Sequence, residues 1–134
     1  MCGIAGMLYF DKQQKVNQEQ LKNMCTSLIH RGPDDSGIYV ENNIGLGHRR
    51  LKIIDLSDKA RQPLFNEDNT IVLIFNGEIY NFIPLREELL RKGHSFISKA
   101  DSEVIIHLYE EKGIDCLQHL EGMFAFAIYD KNKT

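Results

Sequence analysis

Apolar residues recur at helical spacing in three segments of the chain, and each segment carries start and stop signals. In the first, Asn17 is a favourable N-cap with Gln20 three residues later. Proline is favoured in the first turn of a helix and glycine just after its last turn. Prolines and glycines therefore predict the remaining helix ends. The three predicted helices begin after Asn17, near Pro84 and at Ser102, and they end by Gly32-Pro33, Gly93 and Gly113.

Six further segments are rich in β-branched, aromatic and other apolar residues, which favours strands. They are residues 2–10, 37–41, 44–47, 52–55, 71–75 and 123–129. Turn-forming residues at 41–43 and 66–69 stand between consecutive strands, so we expect antiparallel hairpins there. The grouping of helices between strands indicates an α+β domain in which helices pack on antiparallel sheet.

The strand predicted at 123–129 has no second arm after it. Turn residues follow at 130–133, and the sequence stops at Thr134. A hairpin with one arm leaves a hydrophobic strand with an unpaired edge, a feature that invites aggregation. We therefore expect the chain to be a fragment of a longer one, incomplete at its C-terminus.

The length and composition are those of one ordinary globular domain. The chain has 134 residues, of which 43% are hydrophobic and 26% are charged. These values exclude disordered, collagen-like and disulfide-scaffold classes of protein. The net charge is −3 and the pI is about 5.9, so no broad cationic surface is expected. Neither nucleic acid nor a membrane is therefore an expected partner.

The three cysteines form no metal-binding or disulfide pattern. Cys2, Cys25 and Cys116 are odd in number and lack a CxxC or cysteine–histidine ligand spacing, which predicts a reducing compartment and no zinc site. Cys25 and Cys116 lie among apolar residues and are predicted to be core. The N-terminus has no basic region of a signal peptide and no run reaches about 18 apolar residues, so we predict a cytoplasmic protein.

Cys2 follows the initiator Met1 directly. A side chain this small permits removal of the methionine, which leaves a thiol and a free α-amine on one residue. An α-amine has a pKa of roughly 7.7–8.0, close enough to neutrality to accept the proton of an adjacent thiol. Cys2 can then supply both nucleophile and base. The alternative is that Cys2 is a small buried hydrophobic residue of the first strand.

An ordered set of motifs extends along the whole chain. They are MCGIAG, HRGPDDSG, GHRRLKIID, QPLF, FNGEIYN, ADSEVI and LEGMFAFAIYD. Over essentially all 134 residues the chain resembles the glutamine amidotransferase domains that use an N-terminal cysteine nucleophile. HRGPDD, HRRLKIID and NGEIYN are most similar to the branch of the glutamine-hydrolysing asparagine synthetases.

The resemblance implies a fold and a reaction. The fold is that of N-terminal-nucleophile hydrolases, two antiparallel sheets sandwiched between helix layers, and residues 1–134 are expected to be the N-terminal portion of such an amidotransferase domain. In the reaction, the Cys2 thiolate attacks the side-chain amide carbon of glutamine, ammonia leaves, and water hydrolyses the γ-glutamyl thioester.

The resemblance also implies partners that lie outside these residues. Ammonia would pass to a C-terminal synthetase domain that activates aspartate, and ATP and magnesium would bind in that absent domain. The glutaminase half itself needs no cofactor and no metal. A homodimer is compatible with the family, and the only small molecule expected here is glutamine.

Two further positions match the oxyanion hole of the family, where donors must be fixed before negative charge develops. These are the Asn76 amide and the Gly77 backbone N–H. The alternative for Asn-Gly is a tight hairpin turn, although the short arm 78–81 before Pro84 matches the preceding strand poorly.

A pocket for zwitterionic glutamine needs an anion-binding and a cation-binding side chain. Arg50 matches the carboxylate clamp of the family and Asp101 the ammonium partner, although Asp101 alone would also suit the N-cap of the following helix. Arg49 would point the opposite way and is expected to be a surface charge. Further expected contacts to glutamine come from Leu51, Ile53, Ile54 and Glu78.

The remaining polar motif residues are given structural roles. His30 and His48 lie in motif segments, but the Cys2 amine already provides the base, so we expect them to form structural hydrogen bonds. Arg31 and the HRGPDD loop are expected to shape the site, and Asp34 and Asp35 to serve turns and caps. His94, His107 and His119 show no metal-ligand spacing.

Two other functions stay open at this point. The chain could be the amidotransferase domain of an enzyme with another ammonia acceptor, because a glutaminase half meets only glutamine. It could also be a non-catalytic, truncated fragment that keeps the sequence of the family without turnover.

Overall fold

The computed structural model describes residues 1–133, which form three α-helices and six strands. The strands are β1 Gly3–Leu8, β2 Asp35–Glu41, β3 Ile44–Arg50, β4 Leu64–Phe65, β5 Ile71–Ile79 and β6 Gly122–Asp130. The helices are α1 Gln18–Ser27, α2 Phe82–Arg91 and α3 Glu103–Lys112. Short 3-10 helices span Asp58–Ala60, Gly113–His119 and Lys131–Lys133.

The strands form two antiparallel sheets of three. The first sheet has the order β1-β3-β2 and the second has the order β4-β5-β6. Hairpins join β2 to β3 and β4 to β5, which confirms the turns predicted at 41–43 and 66–69.

The two sheets pack face to face with helices on both outer sides. Ile44 and Leu46 of the first sheet meet Val72 and Ile74 of the second in a small core between them. On one outer side α1 packs on β1 and β3. On the other, α2 and α3 cover β5 in the larger core. This arrangement confirms the predicted α+β sandwich, because each sheet buries one face against its partner and the other under helix.

The predicted helices are confirmed with small shifts at their ends. The Asn17 side chain accepts hydrogen bonds from the backbone N–H groups of Glu19 and Gln20, as its N-cap position requires. Pro84 lies in the first turn of α2, and Gly113 closes α3 with a φ of 58°. Cys25 and Cys116 are buried, and both are free thiols, as predicted.

The strand predicted at 52–55 is wrong, since this segment is an irregular loop. Ile53 is 65% exposed and Ile54 is exposed as well, so no alternating pattern buries one face of it. The backbone carbonyls of Asp55 and Ser57 accept hydrogen bonds from the Arg50 guanidinium, which draws the loop around that side chain instead of along a neighbouring strand.

The hairpin-turn alternative for Asn76-Gly77 is also wrong. Both residues lie inside β5, which continues to Ile79 and pairs with β6 along its whole length. Gly77 has a φ of +154°, and a Cβ there would overlap the Met123 carbonyl oxygen and lie 2.6 Å from the Phe124 Cα. Glycine is therefore required by the close approach of β6.

β6 pairs with another strand along one edge only. Its inner edge pairs with β5 over nine residues, and among residues 1–133 no strand adjoins its outer edge, as the sequence predicts. None of the helices in the described part of the chain has the length and apolar character needed to cross a membrane.

Candidate active site

A cavity of about 120 Å³ opens where the start of β1, the end of β3 and the middle of β5 meet. One water needs roughly a tenth of that space, so the cavity takes a small organic molecule. Predicted site residues that line it are Cys2, Arg50, Leu51, Ile53, Ile54, Gly77, Glu78 and Asp101. The fold thus brings together eight residues from four segments of the chain, at positions 2, 50–54, 77–78 and 101.

Contacts with Leu51 and Arg31 hold Cys2 in place. The backbone N–H of Leu51 donates to its Sγ at 3.3 Å, and Sγ lies 3.7 Å from the Leu51 carbonyl oxygen. The Cys2 carbonyl oxygen accepts a hydrogen bond from Nε of Arg31 at 3.0 Å. Cys2 is half-buried and lines the cavity, so the alternative of a fully buried core residue does not apply.

The HRGPDD loop wraps around the end of β3. The Asp34 carboxylate accepts the backbone N–H of Lys52 at 2.8 Å, and the Asp34 N–H donates to the carbonyl of Arg50 at 3.0 Å. A Cβ at Gly32 would overlap the backbone of Arg49, so only glycine allows this close contact. The loop therefore fixes the segment that in turn holds the Cys2 thiol.

Arg49 lies outside the cavity, as predicted, but its side chain is half-buried and not fully exposed. Its Nε donates to the Gly32 carbonyl at 2.8 Å and its Nη2 to the Pro33 carbonyl at 3.4 Å. The side chain does point away from Arg50, as strand alternation requires, but it ends against the HRGPDD loop.

The Arg50 guanidinium is a buried cation in the cavity wall. Its Nη1 donates to the Ser57 carbonyl at 2.8 Å and its Nη2 to the Asp55 carbonyl. A guanidinium carries five N–H groups, so these bonds leave donors for an incoming carboxylate. The 51–60 loop therefore orients the Arg50 side chain and leaves some of its N–H groups available to bind a ligand.

Asp55 ties the same loop together through its side chain. Its carboxylate accepts the backbone N–H groups of Ser57 and Lys99, each at 2.8 Å. Hydrogen bonds from Ser57 and Lys99 lower the pKa of Asp55 to about 2, because they favour the charged form. Asp55 also lines the cavity, a role that the sequence did not reveal.

Asp101 and Glu78 place two carboxylates in the cavity wall. Asp101 is buried and accepts the backbone N–H of Ile79 at 2.8 Å, and Ser102 takes the N-cap position of α3, with no N-cap side-chain bond. Burial raises the pKa of Asp101, and the negative charge of Glu78 adds to this shift. The two carboxylates give this part of the cavity wall a negative charge that can bind a cation. Arg50 carries the positive charge that can bind an anion.

Asn76 is the one predicted site residue that does not line the cavity. Strand alternation puts it on the face of β5 that bears Val72 and Ile74, between the sheets. Its side-chain Oδ1 is buried and has no hydrogen-bond partner among the described residues. If the amide is rotated by half a turn, its NH₂ group takes the position of Oδ1. Asn76 therefore has a side-chain polar group without a hydrogen-bond partner next to Gly77.

His48 forms the structural hydrogen bond expected of it. Its Nε2 lies 3.0 Å from the carbonyl oxygen of Phe75, so the ring links β3 to β5 across the two sheets. Burial lowers the pKa of His48 to about 4, and the ring is neutral at pH 7. His30, by contrast, is an exposed residue on the α1–β2 connection.

Several cavity residues were missed by the sequence reasoning. Gln62 is buried, and its Oε1 accepts the backbone N–H of Phe75 at 2.6 Å. The QPLF motif contains Gln62 and was the one available signal for it. The other missed lining residues are Met1, Asp55, Ala60, Phe75, Ala100 and Ser102.

The glutamine amidotransferase domain family matches residues 1–134 of the chain. The asparagine synthetase (glutamine-hydrolyzing) 2 of Bacillus subtilis is 44% identical over 136 residues, which are 100% of this chain and 18% of that protein. The asparagine synthetase (glutamine-hydrolyzing) 1 of Arabidopsis thaliana is 45% identical over 130 residues, 97% of this chain and 22% of that protein. The chain thus spans about a fifth of the length of these curated relatives.

A solved structure shares the fold. The glutamine phosphoribosylpyrophosphate amidotransferase of Bacillus subtilis, complexed with ADP and GMP, superposes with a TM-score of 0.79. The match covers 96% of this chain and 35% of that one at 22% sequence identity, so it bears on the fold alone.

Proposed function

Since the chain belongs to the glutamine amidotransferase domain family, we propose that its cavity binds glutamine and hydrolyses the side-chain amide to glutamate and ammonia. One observation carries the proposal. The half-buried Cys2 thiol shares a small cavity with a buried guanidinium, Arg50, and with two carboxylates, Asp101 and Glu78. Opposite charges in the same cavity as a nucleophile match the α-carboxylate and α-ammonium of a zwitterionic amino acid.

The proposed reaction begins with Cys2 and ends with Cys2 regenerated. In the chain as translated, the Cys2 nitrogen is part of a peptide bond with Met1 and has no basic lone pair. Removal of Met1, which lines the cavity, frees the amine and enlarges the space beside the thiol. The amine accepts the thiol proton, Sγ attacks the amide carbon, and the same proton passes to the departing ammonia. Water then cleaves the thioester.

The developing oxyanion lies near β5 in this proposal. Gly77 lines the cavity, and Asn76 precedes it with a side-chain Oδ1 that is buried and has no hydrogen-bond partner among the described residues. Donors fixed in a rigid paired strand need no reorganisation during the reaction, which is what stabilisation of a transient anion requires. Each such donor contributes on the order of 10²–10³ in rate.

We further propose that the ammonia serves an asparagine synthetase reaction. The named activity of relatives that are 44–45% identical over nearly all of this chain supports this acceptor. In a longer protein, a C-terminal synthetase domain that uses ATP and magnesium would receive the ammonia and activate aspartate. We also propose a cytoplasmic location, which the odd number of cysteines and their lack of a paired spacing support. A homodimer also remains a prediction.

The test measures glutamate release from glutamine by the Met1-processed chain, with the N-terminal mass checked first. We expect turnover by the processed chain and none by Cys2→Ala or by chain that retains Met1. Cys25→Ala is the matched control, because it removes a thiol outside the cavity. Folded, processed chain that releases no glutamate would contradict the proposal. Asparagine formation from aspartate, ATP and glutamine by a longer protein tests the acceptor separately.

A further inference from the structure

Two histidines and several glutamates converge away from the cavity, where three segments of the chain meet. Glu67 lies in the β4–β5 turn, His94 follows α2, and His107 and Glu110 lie on α3. One ligand atom each from Glu67, His94 and His107 lies within 4.8 Å of the other two. The sequence did not indicate this cluster, because His94 and His107 lack a ligand spacing along the chain.

Both imidazoles approach the same carboxylate. The Nδ1 atoms of His94 and His107 lie 3.4 and 3.0 Å from the same carboxylate oxygen, Oε2 of Glu110. Nδ1 of His107 also lies 4.0 Å from Oε1 of Glu67. Donor atoms of a tetrahedral zinc site are about 3.3 Å apart, given metal–ligand bonds of roughly 2.0–2.2 Å. The separations of 3.0, 3.4 and 4.0 Å lie close to that spacing.

Hydrogen bonds already hold the outer nitrogen of His94 and the outer oxygen of Glu110. Nε2 of His94 lies 2.8 Å from Oε1 of Glu111. Asn66 donates to Oε1 of Glu110 at 2.9 Å, so Oε2 is the oxygen that the two Nδ1 atoms approach. A carboxylate behind the far nitrogen of a metal-binding histidine orients the ring and raises its basicity, and Glu111 has this position behind His94.

His107 is fixed before any ion binds. It is only 2% exposed, its Nε2 is buried without a hydrogen-bond partner among the described residues, and its ring packs 4.6 Å from that of Phe96. Carboxylate oxygens of Glu67, Glu103 and Glu110 lie within 4.0 Å of its ring nitrogens, so the surroundings of the ring are negative.

The charge of the cluster favours a divalent cation. Glu67, Glu103, Glu110 and Glu111 are four carboxylates around two imidazoles, and Lys92 neutralises part of this charge at 3.5 Å from Glu111. Imidazole together with carboxylate suits zinc and its neighbours among the transition metals, whereas magnesium and calcium prefer oxygen ligands alone.

We propose that His94, His107, Glu67 and Glu110 form a binding site for a divalent transition-metal ion of the zinc class. All four ligands come from the protein, which is typical of a structural rather than a catalytic site. The ion would connect the β4–β5 turn to α3 and to the segment after α2, and it would stabilise the outer side of the second sheet.

The test uses Zn²⁺ and the whole chain in a Cys2→Ala background, so that the cavity thiol takes no metal. We expect calorimetry to give one Zn²⁺ per chain and the unfolding midpoint to rise by roughly 5 °C or more at a hundredfold excess over Kd. Glu67→Gln combined with His94→Gln should weaken binding at least about 100-fold, since each lost ligand removes a bond to the ion. Both positions reach the surface, so the double variant should fold.

The matched control is His119→Gln combined with Glu121→Gln, two exposed residues outside the cluster. This variant should bind Zn²⁺ like the parent. Binding weaker than about 100 μM in the parent, or binding that the Glu67/His94 variant leaves unchanged, would overturn the proposal. None of these readouts depends on hydrolysis of glutamine.

Discussion

Nε2 of His48 in the first sheet lies 3.0 Å from the carbonyl oxygen of Phe75 in the second. A buried side chain thus links the two layers directly beside the cavity that Phe75 lines. A neutral imidazole suits this position, since its Nε2–H donates to the carbonyl and a charged ring would be buried next to Arg50 and Arg49.

This contact predicts a loss of stability in mild acid. Burial lowers the pKa of His48 to about 4 from 6.5, so between these values the unfolded chain binds more protons and the free energy of unfolding decreases as the pH falls. The loss should approach about 3 kcal/mol at pH 4. Denaturant unfolding at pH 7 and pH 4 measures it. His48→Gln keeps an N–H donor but does not titrate, so an equal loss in this variant would contradict the prediction.

Gly77→Ala should destabilise the protein by more than about 3 kcal/mol, because it combines an unfavourable φ with overlap of the Met123 carbonyl. Gly93→Ala is the control. Gly93 also has a positive φ, 97°, but no atom lies within 4 Å of the added methyl group. It should cost about 1–2 kcal/mol, and equal losses in the two variants would show that the β5–β6 approach is not responsible.

Arg31→Ala should reduce the rate of glutamate release about tenfold or more while unfolding changes by less than about 1 kcal/mol. The bond from Nε of Arg31 to the Cys2 carbonyl positions the nucleophile, and small displacements of reacting groups reduce rates strongly. The side chain is exposed, so its hydrogen bond contributes little to stability. Arg91→Ala, an exposed arginine of α2, should leave both quantities unchanged.

Asp101→Asn should raise the KM for glutamine about tenfold with little change in kcat. The amide oxygen of asparagine still accepts the N–H of Ile79, but the negative charge that faces the proposed α-ammonium is lost. Asp115→Asn, an exposed residue of a 3-10 helix, removes an equal charge elsewhere and serves as the control. An unchanged KM in Asp101→Asn would remove Asp101 from the binding site.

Alkylation should distinguish Cys2 from the other thiols. Burial raises the pKa of Cys25 and of Cys116, and both are almost inaccessible, whereas Cys2 lines an open cavity. Iodoacetamide at pH 8 should modify one thiol in the native chain and all three in urea. Mass spectrometry measures this, and rapid native modification of Cys25 would show that α1 does not seal it.

Predictions from the sequence succeeded where one local signal sufficed. The side chain of Asn17 caps α1 as its position indicates, and the apolar segments 71–75 and 123–129 become neighbouring strands. Such features depend on residues close in sequence or on simple alternation. The ordered motifs also predicted eight residues that the fold brings to one cavity.

Predictions failed where hydrogen bonds to an arginine side chain, and not hydrophobic periodicity, set the path of the backbone. The carbonyls of Asp55 and Ser57 are bonded to Arg50, so the apolar pair Ile53-Ile54 lies in a loop and not in a strand. Arg49 is drawn into contact with Gly32 by the path of the HRGPDD loop. Neither contact produces a periodic pattern of apolar residues from which it could be predicted.

By itself the sequence determined the fold class, the three helices, most of the strands and the family of the domain. These follow from local propensity, from hydrophobic periodicity and from motifs that are contiguous in the chain. The tertiary structure alone decided that Leu51 and Arg31 hold Cys2, that Asn76 lies between the sheets, and that His94 meets His107. Each of these contacts joins residues far apart in sequence, and only the packing of two sheets and their helices brings them together.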